Sequence, residues 1–461
     1  MRETSFCNVQ SGHGLRDDDS DLHASSRDVW PSRLQLNGSR IASVIGQLVS
    51  SGELLPGQKL PTVRALSRTL RVSPGTVSDA WRVLRSHAVF ETDRRRGAIV
   101  RSTTGNVDSR YWHVPVAPGT LEHDLTMGTP DPELLPPLAP ALQKVQLDST
   151  VTSYLDEPVI PELEALLRAD WPFEPERFTI VNGAQDGVER IVNDAVNFGD
   201  AVIVEDPTFP PIIDMLELAG ARLIVVQSDE QGPLPDEVAA ALVERPVAAF
   251  LQPRAQNPTG ASISKQRAVD LAECLAGHST LVVEDDHSGP VAGAALHSLG
   301  THLPNQTVHI RSFSKSHGPD LRLAAIGGST SVLDSVIKRR HLGPSWTSRL
   351  LQRVLLELLR DPFALSIVSN ATAVYEERRR NVVTALEDRG FEIAEGSGMN
   401  VWIPVGNEQR AVVGLAAHGI GVAPGRPFMV GSPTTEFIRA TVASLSDHVD
   451  DIAEKIASVA N

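Results

Sequence analysis

Ile310-Arg311-Ser312-Phe313-Ser314-Lys315-Ser316-His317-Gly318-Pro319-Asp320-Leu321-Arg322-Leu323 joins an apolar segment to two serines, a lysine and, seven residues past that lysine, an arginine. A primary amine condenses with an aldehyde as a Schiff base, while hydroxyls and a guanidinium hold a phosphate dianion. The stretch therefore suits an aldehyde cofactor that carries a phosphate. It equally describes a solvated lysine on a loop after a strand, so the other segments decide.

Four of them follow the same plan, an apolar run that ends in polar or turn residues. Phe178-Thr179-Ile180-Val181 leads into Asn182-Gly183-Ala184-Gln185-Asp186-Gly187 and a helical pattern of Val188, Ile191, Val192 and Ala195. Such a turn offers free backbone N–H groups and a positive dipole end to a phosphate. Ala201-Val202-Ile203-Val204 ends in Glu205-Asp206-Pro207-Thr208-Phe209-Pro210, which places a flat ring where α/β sheets bind ligands; core packing is the other reading of Phe209. Val247–Leu251 leads into Gln256-Asn257-Pro258-Thr259-Gly260, and Leu281-Val282-Val283 into Glu284-Asp285-Asp286-His287-Ser288-Gly289. Strand–helix alternation from His123 onward predicts an α/β fold.

Together these ends supply what pyridoxal 5′-phosphate (PLP) requires. Lys315 supplies the Schiff-base amine, and Asp285 keeps the ring nitrogen protonated so that the ring draws electrons. Asn257 bonds the ring hydroxyl oxygen and Phe209 stacks on the ring. Ala184, Gln185, Ser312, Ser314 and Arg322 hold the phosphate.

The 461 residues predict more than one domain, and 41% hydrophobic with 21% charged residues describes an ordinary globular chain. No apolar run is long enough to span a membrane, and the N-terminus has no basic-then-apolar leader. Two cysteines, Cys7 and Cys274, predict no disulfide and a reducing cytoplasm, and the scattered histidines predict no metal site. The net charge of −15 hides an asymmetry, because Lys59 to Arg101 holds ten basic residues against three acids. A compact basic module joined to an acidic body follows.

That module has its own pattern. Ile41, Val44, Ile45 and Leu48 form one helix face, and Thr62 and Ser73-Pro74 are N-cap signals for a second and a third helix. Ala88–Thr92 and Gly97–Val100 flank Asp93-Arg94-Arg95-Arg96 as a hairpin with a basic tip. Three helices and a basic hairpin predict a winged helix-turn-helix, with Pro74 to Arg85 in the major groove and the tip arginines on phosphates. The domains expected are a disordered tail over 1–30, the DNA-binding module over 31–102, a linker over 103–122 and the α/β body over 123–461.

Ser51-Gly52-Glu53-Leu54-Leu55-Pro56-Gly57-Gln58-Lys59-Leu60-Pro61-Thr62-Val63-Arg64-Ala65-Leu66, with Val72-Ser73, Thr76-Val77 and Arg96-Gly97, resembles the GntR family of DNA-binding domains. The resemblance implies a double-stranded DNA operator and contacts from Arg64, Ser73, Thr76, Arg94, Arg95, Arg96 and Gly97. Pro74 and Ser78 stand where that family often has arginine.

The strand ends resemble the fold-type I aminotransferases, and the combination resembles the MocR branch of the GntR family. This implies a large, mixed, mostly parallel sheet with a small C-terminal α+β domain, a homodimer, and a domain that senses an amino compound or the cofactor rather than mainly turning it over. An aminotransferase with an autoregulatory or vestigial DNA-binding module is the alternative. The resemblance also carries over Tyr154 as a tyrosine near the cofactor, Arg439, expected at a strand's end, as a carboxylate clamp, and His287 near the ring oxygen. Many relatives have tyrosine at that last position, and a histidine there predicts a charge that varies with pH. Val159-Ile160-Pro161 replaces a glycine usual after the active-site tyrosine.

Overall fold

The computed structural model describes residues 37–50, 53–55, 58–86, 90–93, 97–100, 109–110, 121–145, 157–431 and 434–460. The expected tail, the hairpin tip Arg94–Arg96, Tyr154 and most of the expected linker lie outside them. The chain divides into two compact units, Met1–Thr103 and Thr104–Asn461.

In the first unit, helices Gly38–Ser50, Val63–Leu70 and Pro74–Ser86 precede a hairpin of Phe90–Asp93 and Gly97–Val100. Thr62 starts the second helix by accepting the Ala65 N–H at 3.2 Å, and Arg71 stops it in left-handed backbone at φ 55°. Ser73 starts the third by accepting the Thr76 N–H at 3.0 Å, and Pro74 fills its first position. Ile41, Ile45, Leu66, Leu70, Val77 and Leu84 are buried. Gly38 lets the first and third helices approach, since a Cβ there would lie 2.8 Å from the Asp79 Cβ. The hairpin pairs Phe90 with Val100 and Asp93 with Gly97, antiparallel. Residues 58–60 join its edge through Val100 N–H to Gln58 O and Leu60 N–H to Ala98 O, both 2.8 Å. This is the expected winged helix-turn-helix.

The second unit is built on an eight-stranded sheet. Its order is Arg177–Val181, Ala324–Gly328, Thr307–Ser312, Leu281–Asp286, Ala248–Leu251, Ala201–Asp206, Arg222–Asp229 and Gly232–Pro233. Ala324–Gly328 and the two-residue Gly232–Pro233 run antiparallel to their neighbours, and the other pairings are parallel. Strands 201–206, 281–286 and 307–312 are buried at every position, which is why they read as apolar runs. Because the parallel strands point one way, their C-terminal ends, and the start of Ala324–Gly328, meet along one edge.

A smaller sheet orders Asn400–Val405, Glu436–Thr441, Ile420–Pro424 and His123–Leu125. Helices Glu408–Ala417, Val449–Ala460 and the end of Pro362–Glu387 cover it around Val401, Ile403, Leu415, Ile438 and Ile456. The first described strand of the unit thus completes the C-terminal sheet. The last helix begins at Val449, after His448 takes a left-handed φ of 56°.

Ser109 and Arg110 are fastened to helix Pro210–Leu218. The Arg110 N–H and the Ser109 hydroxyl donate to Asp214 Oδ2 at 2.9 and 3.1 Å. The Arg110 guanidinium reaches Asp214 at 2.5 Å and Glu217 at 2.8 Å.

Candidate functional site

The site lies along the sheet edge where the strands end. At the first strand, Gly183 precedes helix Ala184–Ala195 at φ 95°, and no side chain caps that helix. The backbone N–H groups of Ala184 and Gln185 are therefore available at a positive helix end. Arg322, itself at φ 48°, comes from the start of the antiparallel strand. Its guanidinium lies over Gly183, where a Cβ would be 3.6 Å from the Arg322 Cζ. Ser312 is buried and its Oγ accepts the Ser314 N–H at 3.3 Å. Free helix N–H groups, a hydroxyl and a guanidinium are donors of the kind that can hold an anion.

Strand periodicity sorts the acids of Glu284-Asp285-Asp286. Side chains alternate across a sheet, so Glu284 and Asp286 share one face. There Glu284 takes Ser298 Oγ at 2.6 Å, Leu299 N–H at 2.7 Å and His309 Nδ1 at 2.8 Å. Asp286 takes both ends of the Arg254 guanidinium at 2.9 and 2.8 Å. Asp285 faces the other way, toward the site. Its Oδ2 accepts Gln252 Nε2 at 2.9 Å, and its buried Oδ1 has no partner. Burial raises the Asp285 carboxyl to about 6, with the neighbouring Asp286 adding to the rise.

Asn257 presents a donor. Its Oδ1 is taken by Arg439 Nη1 at 3.2 Å and its backbone N–H by Gln252 Oε1 at 2.8 Å, and the side-chain NH2 is its other donor. Arg439 is 1% exposed and also donates to the Thr126 carbonyl. It sits inside the interior strand Glu436–Thr441 rather than at a strand's end, paired with Trp402 on one side and Ala423 on the other. Burial, reinforced by the Arg439 charge, pulls the Lys315 amine down to about 8. Lys315 Nζ donates to the Gly128 carbonyl, and a carbonyl accepts without occupying the amine's lone pair.

His287 differs from expectation. Its Nε2 bonds the Ala255 carbonyl at 2.9 Å. Burial, with the nearby Lys315 charge, lowers it to about 4. The ring is neutral across the physiological range and the expected pH-dependent charge is absent. Phe209 caps the start of helix Pro210–Leu218 and is half-buried, packed against both the sheet core and the Trp402–Phe428 cluster. Both contacts belong to the core-packing reading of this ring. Val159 and Ile160 are buried in the core beside Leu163 and Leu355.

Three groups were not singled out from the sequence. Gln252 and Gly128 look like ordinary turn residues there. Glu205, at the end of its strand, is 1% exposed. Its Oε2 accepts the Gln252 N–H at 2.8 Å and its Oε1 is without a partner. Burial raises it to about 8, against the Gln252 hydrogen bond and with help from Asp285. Beside it Asp206 ties the two sheets together by accepting the N–H groups of Val430 at 3.0 Å and Gly431 at 3.2 Å.

In the first unit, Arg64 and Ser73 are exposed and Thr76 is half-buried. The Thr76 hydroxyl lies 2.8 Å from Ser73 Oγ, so both hydroxyls also serve the start of the third helix. Gly97 opens the second hairpin strand.

An amine of lowered pKa and a buried carboxylate oxygen without a partner in the second unit, and a winged helix in the first, fit a DNA-binding regulator with an aminotransferase-type domain. The comparisons agree. The chain belongs to the aminotransferase class I and II family, matched over residues 123–456, and residues 37–100 match the gntR family of bacterial regulatory proteins. It is 33% identical to the vitamin B6 salvage pathway transcriptional repressor PtsJ of Salmonella typhimurium, over 89% of this chain and 95% of that one. It is 26% identical to the HTH-type transcriptional regulator TauR of Rhodobacter capsulatus, over 91% and 95%. The α-aminoadipate aminotransferase LysN of Thermus thermophilus has the same fold, with a TM-score of 0.67 at 22% identity over 74% of this chain and 92% of that one. Relatives of this two-part design are transcriptional regulators of the MocR kind, and the cofactor of the aminotransferase class I and II fold is PLP.

Proposed function

We propose that the protein is a DNA-binding regulator whose second unit binds PLP and reads its availability, or that of an amino compound that reacts with it. The observation that carries this is the unpartnered, buried Asp285 Oδ1. A carboxylate oxygen without a donor is costly unless a ligand supplies one, and a ring N–H is such a donor. When bound, PLP supplies an aldehyde reactive toward amines and a protonated ring that withdraws electrons.

The chain's own groups divide the remaining work. Ala184 and Gln185 N–H, Ser312, Ser314 and Arg322 hold the phosphate, and Asn257 donates to the ring oxygen. Phe209 covers one ring face. His287, being neutral, orients the loop through Ala255 instead of carrying a charge. Lys315 keeps a sizeable fraction of free amine near neutral pH because its pKa is lowered, as amine attack on a carbonyl requires. Arg439 holds a ligand carboxylate, which favours an amino acid as the reacting amine, and Tyr154 is carried over from the family as a second group for that ligand. The relation to a vitamin B6 salvage repressor supports PLP itself as the signal.

In the first unit, Arg64, Ser73, Thr76, Arg94, Arg95, Arg96 and Gly97 contact a double-stranded operator. A homodimer in the cytoplasm, with two half-sites, fits such an operator. Among the described residues no helix is long and apolar enough to cross a membrane. A signal acts only if it binds one conformation better than another.

The test mixes purified protein with PLP, traps the adduct with borohydride, and measures affinity for its own upstream DNA with and without PLP and with a panel of amino acids. Expected are PLP on Lys315, no trapping in Lys315→Ala, and DNA affinity that changes with PLP or one amino compound. Sustained amino transfer at ordinary enzyme rates with no binding to that DNA overturns the reading.

A further inference from the structure

One buried amide joins the two polar groups assigned to the ring nitrogen and the ring oxygen of the cofactor. Gln252 is 1% exposed. Its Nε2 donates to Asp285 Oδ2 at 2.9 Å, and its Oε1 accepts the Asn257 N–H at 2.8 Å. Both bonds fix the amide's orientation, because a carboxylate only accepts and a backbone N–H only donates. Its own N–H is held by Glu205 Oε2 at 2.8 Å. The side chain has no freedom left.

We infer that Gln252 is a positioning residue that sets Asp285 and Asn257 as one rigid unit, with Glu205 as its anchor. The inference rests on the reading of the site as a PLP site. By holding Oδ2, Gln252 leaves only Oδ1 to face the ligand. By holding the Asn257 backbone, it fixes the height from which the Asn257 NH2 reaches out. Arg439 steadies the same asparagine through its Oδ1. The charged groups acting on this assembly are Asp286 at Asp285, Asp285 at Glu205, and Arg439 at Asn257.

The reactive chemistry is unaffected by Gln252 in kind, since it touches neither Lys315 nor the phosphate cradle. What changes with it is how well the ring is held and how its ionisation is set. A hydrogen bond to a charged group accounts for about tenfold to a hundredfold in binding.

Two full-length variants test this. Gln252→Leu removes both bonds at similar volume, and Gln252→Glu keeps the acceptor for Asn257 but loses the donor to Asp285. Three quantities are read: borohydride trapping at Lys315, the PLP dissociation constant, and the pH midpoint of the bound cofactor's visible band. Expected is trapping in both variants, a dissociation constant about tenfold or more weaker for Gln252→Leu, and a displaced pH midpoint. Gln252→Glu should weaken PLP binding increasingly as pH rises and the introduced carboxyl ionises beside Asp285, a trend that Gln252→Leu lacks.

A dissociation constant and pH midpoint equal to wild type in either folded variant overturn the inference while leaving the PLP site standing. Wild-type protein that takes up no PLP overturns the reading of the site itself, and the inference with it.

Discussion

Replacing Glu205 by glutamine should change how the protein's stability depends on pH, and the structure gives sign and size. An ordinary glutamate titrates at 4.5, whereas burial holds Glu205 near 8. Between those values the folded state keeps a proton that the unfolded state has released, so stability falls as pH rises through that window and levels off above about 8. Each pH unit inside the window costs at most about 1.4 kcal/mol. The loss from pH 5.5 to 7.5 is then at most about 3 kcal/mol, and roughly half of that where the interior relaxes around the charge. The amide of Glu205→Gln keeps the oxygen that accepts the Gln252 N–H and does not titrate. It places a donor where Oε1 has no partner, a penalty that does not vary with pH. Urea unfolding of both proteins, followed by tryptophan fluorescence at about pH 5.5 and 7.5, isolates the effect. The variant should gain about 1–3 kcal/mol on wild type between the two pH values. Parallel profiles, within about 0.5 kcal/mol, would refute a buried protonated Glu205.

Asp285, raised to about 6, adds a loss of the same sign over a lower window, so Asp285→Asn should remove a second, earlier portion of the slope when the urea series is extended down to about pH 4. Gly183→Ala forces a side chain into φ 95° and toward Arg322; about 1–2 kcal/mol of strain predicts roughly tenfold weaker PLP binding in a spectral titration with DNA affinity kept. Arg110→Ala removes the guanidinium contacts to Asp214 and Glu217 and should cost the second unit up to about 1 kcal/mol, read by urea unfolding. Thr62→Ala loses the N-cap bond to Ala65 and should cost the first unit about 1 kcal/mol, seen as a lower midpoint in its thermal unfolding.

The strand ends were legible because fully buried parallel strands read as apolar runs with abrupt polar stops. Strand Thr307–Ser312 runs on past the apolar segment at Ile310 to the first serine of the lysine stretch. Lys315, Asp285, Asn257 and Arg322 could be picked out because each residue type suits one chemical need at such a stop. Protonation was not legible. His287 looks titratable in sequence, and only its burial and the nearby Lys315 charge make it neutral. Glu205 and Asp206 read as ordinary acids after a strand, yet one is anchored to Gln252 and the other to the far sheet. Arg439 was expected to end a strand because its position between two neighbours depends on pairing across about forty residues on one side. Gln252 gave no signal, since an amide shows its use only through its partners.

The Gln252 amide also bears on how this site can change over generations. Groups on separate strand ends should vary independently, so losses at Arg322 and Asn257 ought to add in free energy. Asp285 and Asn257 share one amide and should not add. Substitutions at positions 252, 257 and 285 are therefore epistatic, and the order in which they arise decides which combinations a lineage can reach without first losing its cofactor.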